Sequence, residues 1–358
     1  MNNDVKMLIA VAGRLGHLQR STAVGIIAEE RGLTKSGVSG MVTRAAGSVA
    51  GKLALMEYRS NNIAKIAPSQ QAIDIIVNWS RQALRNSHNA SGYAVFMSDI
   101  HFPKQDTTAL ALLYAILDGL DDRVVYWSAL NDALDFAKLS HWQDRRSLRV
   151  QALEEDIATT LEIHDLHLEI MREVCPSAVP VGMVGNHTIR IATANDNNGL
   201  GLWNTAQLMK RLYAQGVIMP GALTRENVWQ INDSLVWSHG WFAAANRVGN
   251  MVKNYKQAKR ELASRSDFEF VIGHTHAQME TRSDQARLFN AGHLCQAQPE
   301  YSRRLMDWQP GVVISKIGRG KNDTRLIPFQ RNARTLSALN PFNGRSYEAN
   351  INAFSIID

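Results

Sequence analysis

The chain has 358 residues, 45% of them hydrophobic and 20% charged, a composition that suits a soluble globular protein with one large domain and a small one. Two cysteines, Cys175 and Cys295, exclude a disulfide framework, and no run reaches the ~18 apolar residues of a membrane span. The first residues lack the basic leader of a secretory signal, so a cytoplasmic location with no membrane partner is expected.

The formal charge of +6 is unevenly spread: residues 1–90 hold 11 Lys and Arg against 5 Asp and Glu, and the remainder holds 28 of each sign. The excess points to an anionic partner for the first quarter, nucleic acid before others and DNA before RNA. Within it, Ser21 is placed to cap a helix through Arg31, Gly32 interrupts, and Thr34 or Ser36 is placed to cap a second helix through Val38, Met41, Val42 and Ala45. Helix, short turn, helix is the layout of a helix-turn-helix, in which Lys35, Ser36, Ser39, Thr43 and Arg44 would face DNA. A helical hairpin used only for packing or oligomerisation is the alternative. A connecting helix over 67–89 and a polar stretch at 86–92 then close a basic helical domain, residues 1–90.

From Tyr93 the pattern alternates. Strands are predicted at 93–98, 124–130, 179–184, 228–237 (folded about Asn232-Asp233), 268–272, 286–290 and 312–317. Helices are predicted at 107–120, 147–174, 203–215 and 243–264. This is an α/β layered domain over 91–331. The Asn-, Ser- and Gly-rich residues 332–358 are expected to be an extended tail, a loose strap over the surface.

Six strings fall at or just past strand ends: SDIHFP (Ser98–Pro103), LNDALDF (Leu130–Phe136), VGNHT (Val184–Thr188), WSHGW (Trp237–Trp241), VIGHTH (Val271–His276) and NAGHL (Asn290–Leu294). The first five carry the O and N donors that divalent metals accept. Asp99 and His101 stand two apart, a spacing that in a strand aims both at one ion. Asp132, Asn186, His239, His274 and His276 complete a set suited to two cations, which would hold an attacking hydroxide and the oxygens of a phosphoryl group. His164 and His167 read as surface residues of the long helix, His141 as a substrate-facing candidate, His293 as structural or substrate-side, and Trp237 and Trp241 as packing or rim aromatics.

In order, these strings resemble the calcineurin-like metallophosphoesterases, with their DxH, GDxxD, GNH[DE], lone His and GHxH motifs, over residues 93–327. The match is nearest the stand-alone bacteriophage type, which would place the chain in a host cytoplasm. The resemblance implies a four-layer αββα sandwich joined to the small N-terminal helical domain. It implies one metal on Asp99, His101 and His276, a second on Asn186, His239 and His274, and Asp132 bridging. His187 would act at the leaving group as proton donor or charge stabiliser, and Asp135 would orient a ligand histidine. Asn131 replaces the Gly before the bridging Asp, and is expected to take that residue's left-handed turn. Thr188 replaces the acid after GNH. The expected activity is that of a two-metal phosphodiesterase or nuclease acting through a metal-held hydroxide, with the first domain gripping DNA. A phosphomonoesterase and a DNA-binding protein with a silent phosphoesterase domain are the alternatives. Manganese stands first among the metals, with Fe, Zn, Ni and Mg open.

Overall fold

The computed structural model describes residues 91–120, 123–136, 150–193, 200–219, 228–240, 247–296, 308–318 and 322–350, together with Thr34 and Ser36. The chain divides into two units, residues 1–72 with 141–157 and residues 73–140 with 158–358. Apart from Thr34, Ser36 and 150–157, everything described belongs to the second unit.

Apolar, β-branched and aromatic runs form the central strands of two mixed sheets. In the first, β1 (Gly92–Phe96), β2 (Val124–Ser128) and β3 (Val179–Val181) are parallel. In the second, β4 (Val228–Asn232) and β5 (Leu235–Ser238) form a hairpin about the expected Asn232-Asp233 turn. Next come β6 (Glu269–Ile272), β7 (Gln278–Ser283) and β8 (Ala286–Ala291), giving the order β4-β5-β6-β8-β7 with β5, β6 and β8 parallel. Strands β9 (Gly311–Ile317) and β10 (Asp323–Pro328) return antiparallel to the first sheet, making its order β10-β9-β1-β2-β3.

Period-two alternation decides which faces meet. Ala94, Phe96, Tyr126, Val181 and Val313 from one sheet and Trp229, Trp237, Val271 and Phe289 from the other form one buried cluster, so the two sheets pack face to face. Trp237 meets Phe96 edge-on at 5.5 Å and is core packing, not a rim aromatic. The residues between point outward. Trp127 of β2 meets His167 of the long helix α2 (Val150–Val174; α1 is Thr107–Asp118). Val236, Phe270 and Leu288 receive Met251, Tyr255 and Ala258 of α5 (Arg247–Glu261), which follows α3 (Arg190–Thr193) and α4 (Leu200–Ala214). The domain is thus an α/β sandwich with a helix on the outward face of each sheet. Among the described residues, no helix is long and apolar enough to cross a membrane.

Two expectations are corrected. His164 and His167 are buried, not on the surface: His164 Nε2 donates to Ala129 O at 3.0 Å, and His167 Nδ1 lies 2.7 Å from the Tyr114 hydroxyl. Burial pushes His167 down to about 3, so both imidazoles pack as neutral rings. Nor is the described part of the tail, up to Asn350, a loose strap. Residues 330–350 form a three-stranded antiparallel sheet of β11 (Gln330–Arg331), β12 (Thr335–Asn340) and β13 (Arg345–Asn350). Leu336 and Ala338 are buried, and Asn343-Gly344 makes the hairpin turn with Gly344 at φ 71°. Asn and Gly there serve a tight turn rather than flexibility, and Asn343 Nδ2 caps the end of α1 by donating to Gly119 O at 2.9 Å.

Candidate metal centre

The described residues of all six strings lie at or just past the C-terminal end of a parallel strand: β1, β2 and β3 in the first sheet, β5, β6 and β8 in the second. Strand-end loops of both sheets therefore meet at one end of the sandwich. Backbone hydrogen bonds lace them together. Asp99 N donates to Asn131 O at 2.9 Å, His101 N to Asp132 O at 3.0 Å, Gly273 N to His239 O at 3.0 Å and Leu294 N to Asp99 O at 3.2 Å.

Asp99, His101 and His276 come together. Their facing atoms stand at 3.2 Å (His101 Nε2 to His276 Nε2), 3.2 Å (His276 Nε2 to Asp99 Oδ1) and 3.6 Å (His101 Nε2 to Asp99 Oδ1). Asp132, Asn186, His239 and His274 come together beside them. His239 Nε2 is 2.9 Å from Asp132 Oδ2 and 3.1 Å from Asn186 Oδ1, and the ring of His274 is 5.1 Å from that of His239. A donor atom of Asp132 also lies within 4.8 Å of those of His101 and His187, so Asp132 stands between the two groups.

These spacings fit a cation. Donors about 2.1 Å from one ion stand about 3.0–3.4 Å from each other in octahedral or tetrahedral arrangement. Asp99 Oδ1 and Asp132 Oδ2 are buried and make no aligned hydrogen bond, although ring nitrogens crowd them. Asn131 Oδ1 accepts the Nδ1 proton of His239 at 2.7 Å, which turns Nε2 toward two oxygens. Only a proton or a metal ion reconciles that contact. The electrostatics agree. Burial alone would raise Asp99 and Asp132, but the surrounding imidazoles hold both well below the usual carboxylate range. Burial opposes charge on His101 and His239 too, yet Asp135 and Asp99 lift His101 to about 9, and Asp132 lifts His239. The cluster draws positive charge.

The backbone is strained where the donors sit. Asp99, His101, Asp132, His274 and His276 have φ of 56°, 55°, 53°, 73° and 57°, in the left-handed region that L residues avoid. Each such residue costs on the order of 1 kcal/mol or more, a cost that persists where the surroundings over-determine the conformation. The i, i+2 pairs converge by these turns, not by strand alternation as their spacing suggested, since β1 ends at Phe96 and β6 at Ile272. The expected left-handed turn falls on Asp132 and not on Asn131. Asn131 works through its side chain, with Nδ2 donating to Met97 O at 2.8 Å and Oδ1 holding His239. The glycines of two strings serve by their lack of a side chain: a Cβ on Gly185 would meet Asp132 Oδ1 at 1.9 Å, and one on Gly273 would meet Ser98 Oγ at 1.6 Å.

His187 and Asp135 form a second layer. Asp135 Oδ1 hydrogen-bonds His187 Nδ1 and stands 3.5 Å from His101 Nδ1. Lys104 Nζ reaches Asp135 Oδ2 at 3.1 Å, and Arg190 bonds Asp135 at 3.0 Å while its Nη2 lies 3.2 Å from His187 Nε2. Burial first, then His101, pushes His187 down to about 4. The amides of His187 and Thr188 donate to Asp132 Oδ1 at 2.8 and 3.3 Å, so the position that lacks an acid serves through its backbone.

No protein-family model matches the chain, and no curated protein matches its sequence. Several solved structures are similar. Vacuolar protein sorting 29 from Cryptosporidium parvum is 13% identical with a TM-score of 0.36, over 73% of this chain and 97% of that one. A novel archaeal phosphodiesterase is 15% identical with a TM-score of 0.33, over 65% and 98%. Yfce, a phosphoesterase from E. coli, is 13% identical with a TM-score of 0.29, over 73% and 100%. Such low scores carry no functional argument, and the site's chemistry rests on its own donors.

Lys104, Arg190, Trp308 and Cys295 lie at the site without having been singled out for it. Trp308, 4.2 Å from the ring of His276, has only its aromatic character as a signal, and Arg190 is legible solely as a cation three residues after His187. His293 is buried, its ring stacked 5.6 Å from His276. Of the DNA-facing set, Lys35, Ser39, Thr43 and Arg44 lie outside the described residues, as do His141 and Trp241; Ser36 is helical and exposed, its hydroxyl 3.3 Å from that of Thr34.

Proposed function

We propose that this chain is a calcineurin-like metallophosphoesterase with a four-layer αββα core, a two-metal phosphodiesterase or nuclease whose basic N-terminal segment binds DNA. The observation that carries the reading is the meeting of two donor groups around two buried carboxylate oxygens, Asp99 Oδ1 and Asp132 Oδ2, that lack aligned hydrogen bonds. Asp99, His101 and His276 would hold one divalent ion, and Asn186, His239 and His274 the other, with Asp132 between. Such a pair supplies an activated water and neutralises phosphoryl charge.

The remaining residues position and polarise. Asn131 and Asp135 fix His239 and His187 in the tautomers that leave Nε2 facing the site. His187, held neutral by burial, is a hydrogen-bonding group at neutral pH rather than an acid. Arg190 beside its Nε2 brings the fixed positive charge that a departing oxygen needs, which favours charge stabilisation over proton donation. The charge excess of residues 1–90 supports the nucleic-acid substrate.

With manganese, the full-length protein is expected to hydrolyse bis-p-nitrophenyl phosphate, and Asp132→Asn is expected to lose at least ~100-fold in kcat/KM. Undiminished hydrolysis by Asp132→Asn, or none by the parent with Mn²⁺, Zn²⁺, Fe²⁺, Ni²⁺ or Mg²⁺, would overturn the reading. Cleavage of the monoester alone would assign a phosphomonoesterase instead.

A further inference from the structure

The string NAGHL, with the cysteine that follows it, is not used by the reading above. Gly292 turns the chain at φ 85° after β8, and the next residues are pinned on both sides. Leu294 N donates to Asp99 O at 3.2 Å, Asp106 N to Leu294 O at 2.8 Å and Gln296 N to Lys104 O at 2.8 Å, so Cys295 bridges antiparallel to Gln105. On the other side His293 N donates to Gln309 O at 3.3 Å. This lacing holds the Cys295 side chain beside the DxH loop.

The surroundings of the sulfur are not those of a packing thiol. Cys295 is 2% exposed, and its Sγ lies within 4.8 Å of a ring nitrogen of His101 and one of His276, the same two rings that crowd Asp99 Oδ1. That carboxylate oxygen is fully buried and makes no aligned hydrogen bond, an independent observation that the point these side chains share suits a cation. On the far side His293 Nδ1 stands 3.5 Å from Sγ and 3.0 Å from the Cys295 carbonyl, so its N–H is placed to donate to the sulfur or to the backbone beside it.

We propose that Cys295 Sγ is a further ligand of the ion held by Asp99, His101 and His276, making that position a mixed sulfur, nitrogen and oxygen site. The proposal rests on the two-metal reading above and deepens it. On coordination the S–H bond gives its proton to solvent as the sulfur–metal bond forms, with no change of oxidation state. The His293 N–H then supports the thiolate from behind. Thiolate ligation selects zinc, ferrous iron or cobalt over magnesium and manganese. The two positions then differ in softness, and a zinc- or iron-class ion belongs at this one, whereas manganese stood first for both in the sequence.

Anaerobic titration of the full-length protein with Co²⁺ alone tests this, read by bound cobalt per chain and by the near-ultraviolet thiolate-to-cobalt charge-transfer band. The band is expected in the parent and in Cys175→Ser and is expected to vanish in Cys295→Ser. Because the parent spectrum needs no substitution, a poorly folding variant does not cloud the result. Two bound cobalt ions with no thiolate band, or a band that survives in Cys295→Ser, would remove Cys295 from the site and leave the two-metal reading standing. A parent protein that binds no cobalt would remove both.

Discussion

Replacing Gly185 with alanine probes the claim that Asp132 must sit where it does. Gly185 has no positive φ, so alanine is allowed by the backbone, and only space forbids it. The new Cβ would lie 1.9 Å from Asp132 Oδ1, 2.3 Å from its Cγ and 2.7 Å from its backbone nitrogen. Ordinary contact begins near 3.4 Å, so the gap must open by about 1.5 Å. The carboxylate has little room to give. Its Oδ1 is held by the amides of His187 and Thr188, and Asp132 already sits at φ 53°. A movement of that size greatly exceeds the ~0.2 Å tolerance of a metal ligand, and ~1 Å misplacements near chemistry cost ~100-fold. Gly185→Ala is therefore expected to lose one bound metal and at least ~100-fold in diester hydrolysis. Overpacking should cost about 1–3 kcal/mol of stability in the metal-free protein, leaving it folded. Metal analysis beside the diester assay and a urea melt in EDTA would check all three. Gly216→Ala is the control: φ is 71° with no atom within 4 Å, so it should cost about 1 kcal/mol of stability and nothing in activity. A Gly185→Ala protein with two metals and parental kcat/KM would refute the reasoning.

Asn131→Ala should weaken metal binding about 10–100-fold by releasing the His239 ring, and Asn131→Gly should do no better, because the position acts through its side chain; recovery in the glycine variant, by isothermal titration, would point to the backbone instead. His167, at about 3 in the folded protein against an unfolded value near 6.5, takes up its proton only on unfolding between those limits. Its contribution is thus complete above pH 6.5 and is lost at about 1.4 kcal/mol per pH unit as pH falls toward 3. His167→Gln, able to keep the Tyr114 hydrogen bond, should flatten the urea-midpoint profile of the metal-free protein between pH 7 and 5, and an unchanged slope would count against burial as the cause. Lys35→Ala with Arg44→Ala should weaken DNA binding and reduce its log–log salt slope by about 2 while diester hydrolysis stays constant; equal affinity across salt would count against the basic segment as the DNA grip.

Much of the sandwich was legible because its strands advertise themselves. Tyr93–Met97, Val124–Leu130 and Phe268–Ile272 are apolar runs ended by polar, chemistry-bearing residues, and a parallel strand buried on both faces has to read that way. The strands left unpredicted have the opposite character. Strand β7, Gln278–Ser283, is largely polar because it pairs only with β8 at the sheet edge, and β12 and β13 carry turn residues that also signal loops. Their identity depends on a partner strand, which local pattern does not contain. His164 and His167 show the same limit from the other side. An imidazole on a charge-laced helix reads as exposed, and burial follows only once Ala129 O and the Tyr114 hydroxyl arrive from elsewhere in the chain.

The donor set was legible for a different reason than its geometry. Short strings at strand ends identify which residues meet, because the C-terminal ends of parallel strands in facing sheets share one edge of the sandwich. They do not show how the side chains are aimed. Five of the expected donors reach the centre from left-handed backbone, a conformation uncommon for any residue but glycine and one that the spacing of the strings does not reveal. The strain is offset by the laces between loops, such as His101 N to Asp132 O and Leu294 N to Asp99 O, which join residues far apart in the chain. It follows that Asn131, Gly185 and Gly273 are as necessary as the donors they serve. One orients an imidazole, and the other two leave room for a carboxylate and for the serine beside another. A substitution at any of the three should impair the site while every donor remains in place, the outcome that sets an architecture of positioned loops apart from a mere accumulation of Asp and His.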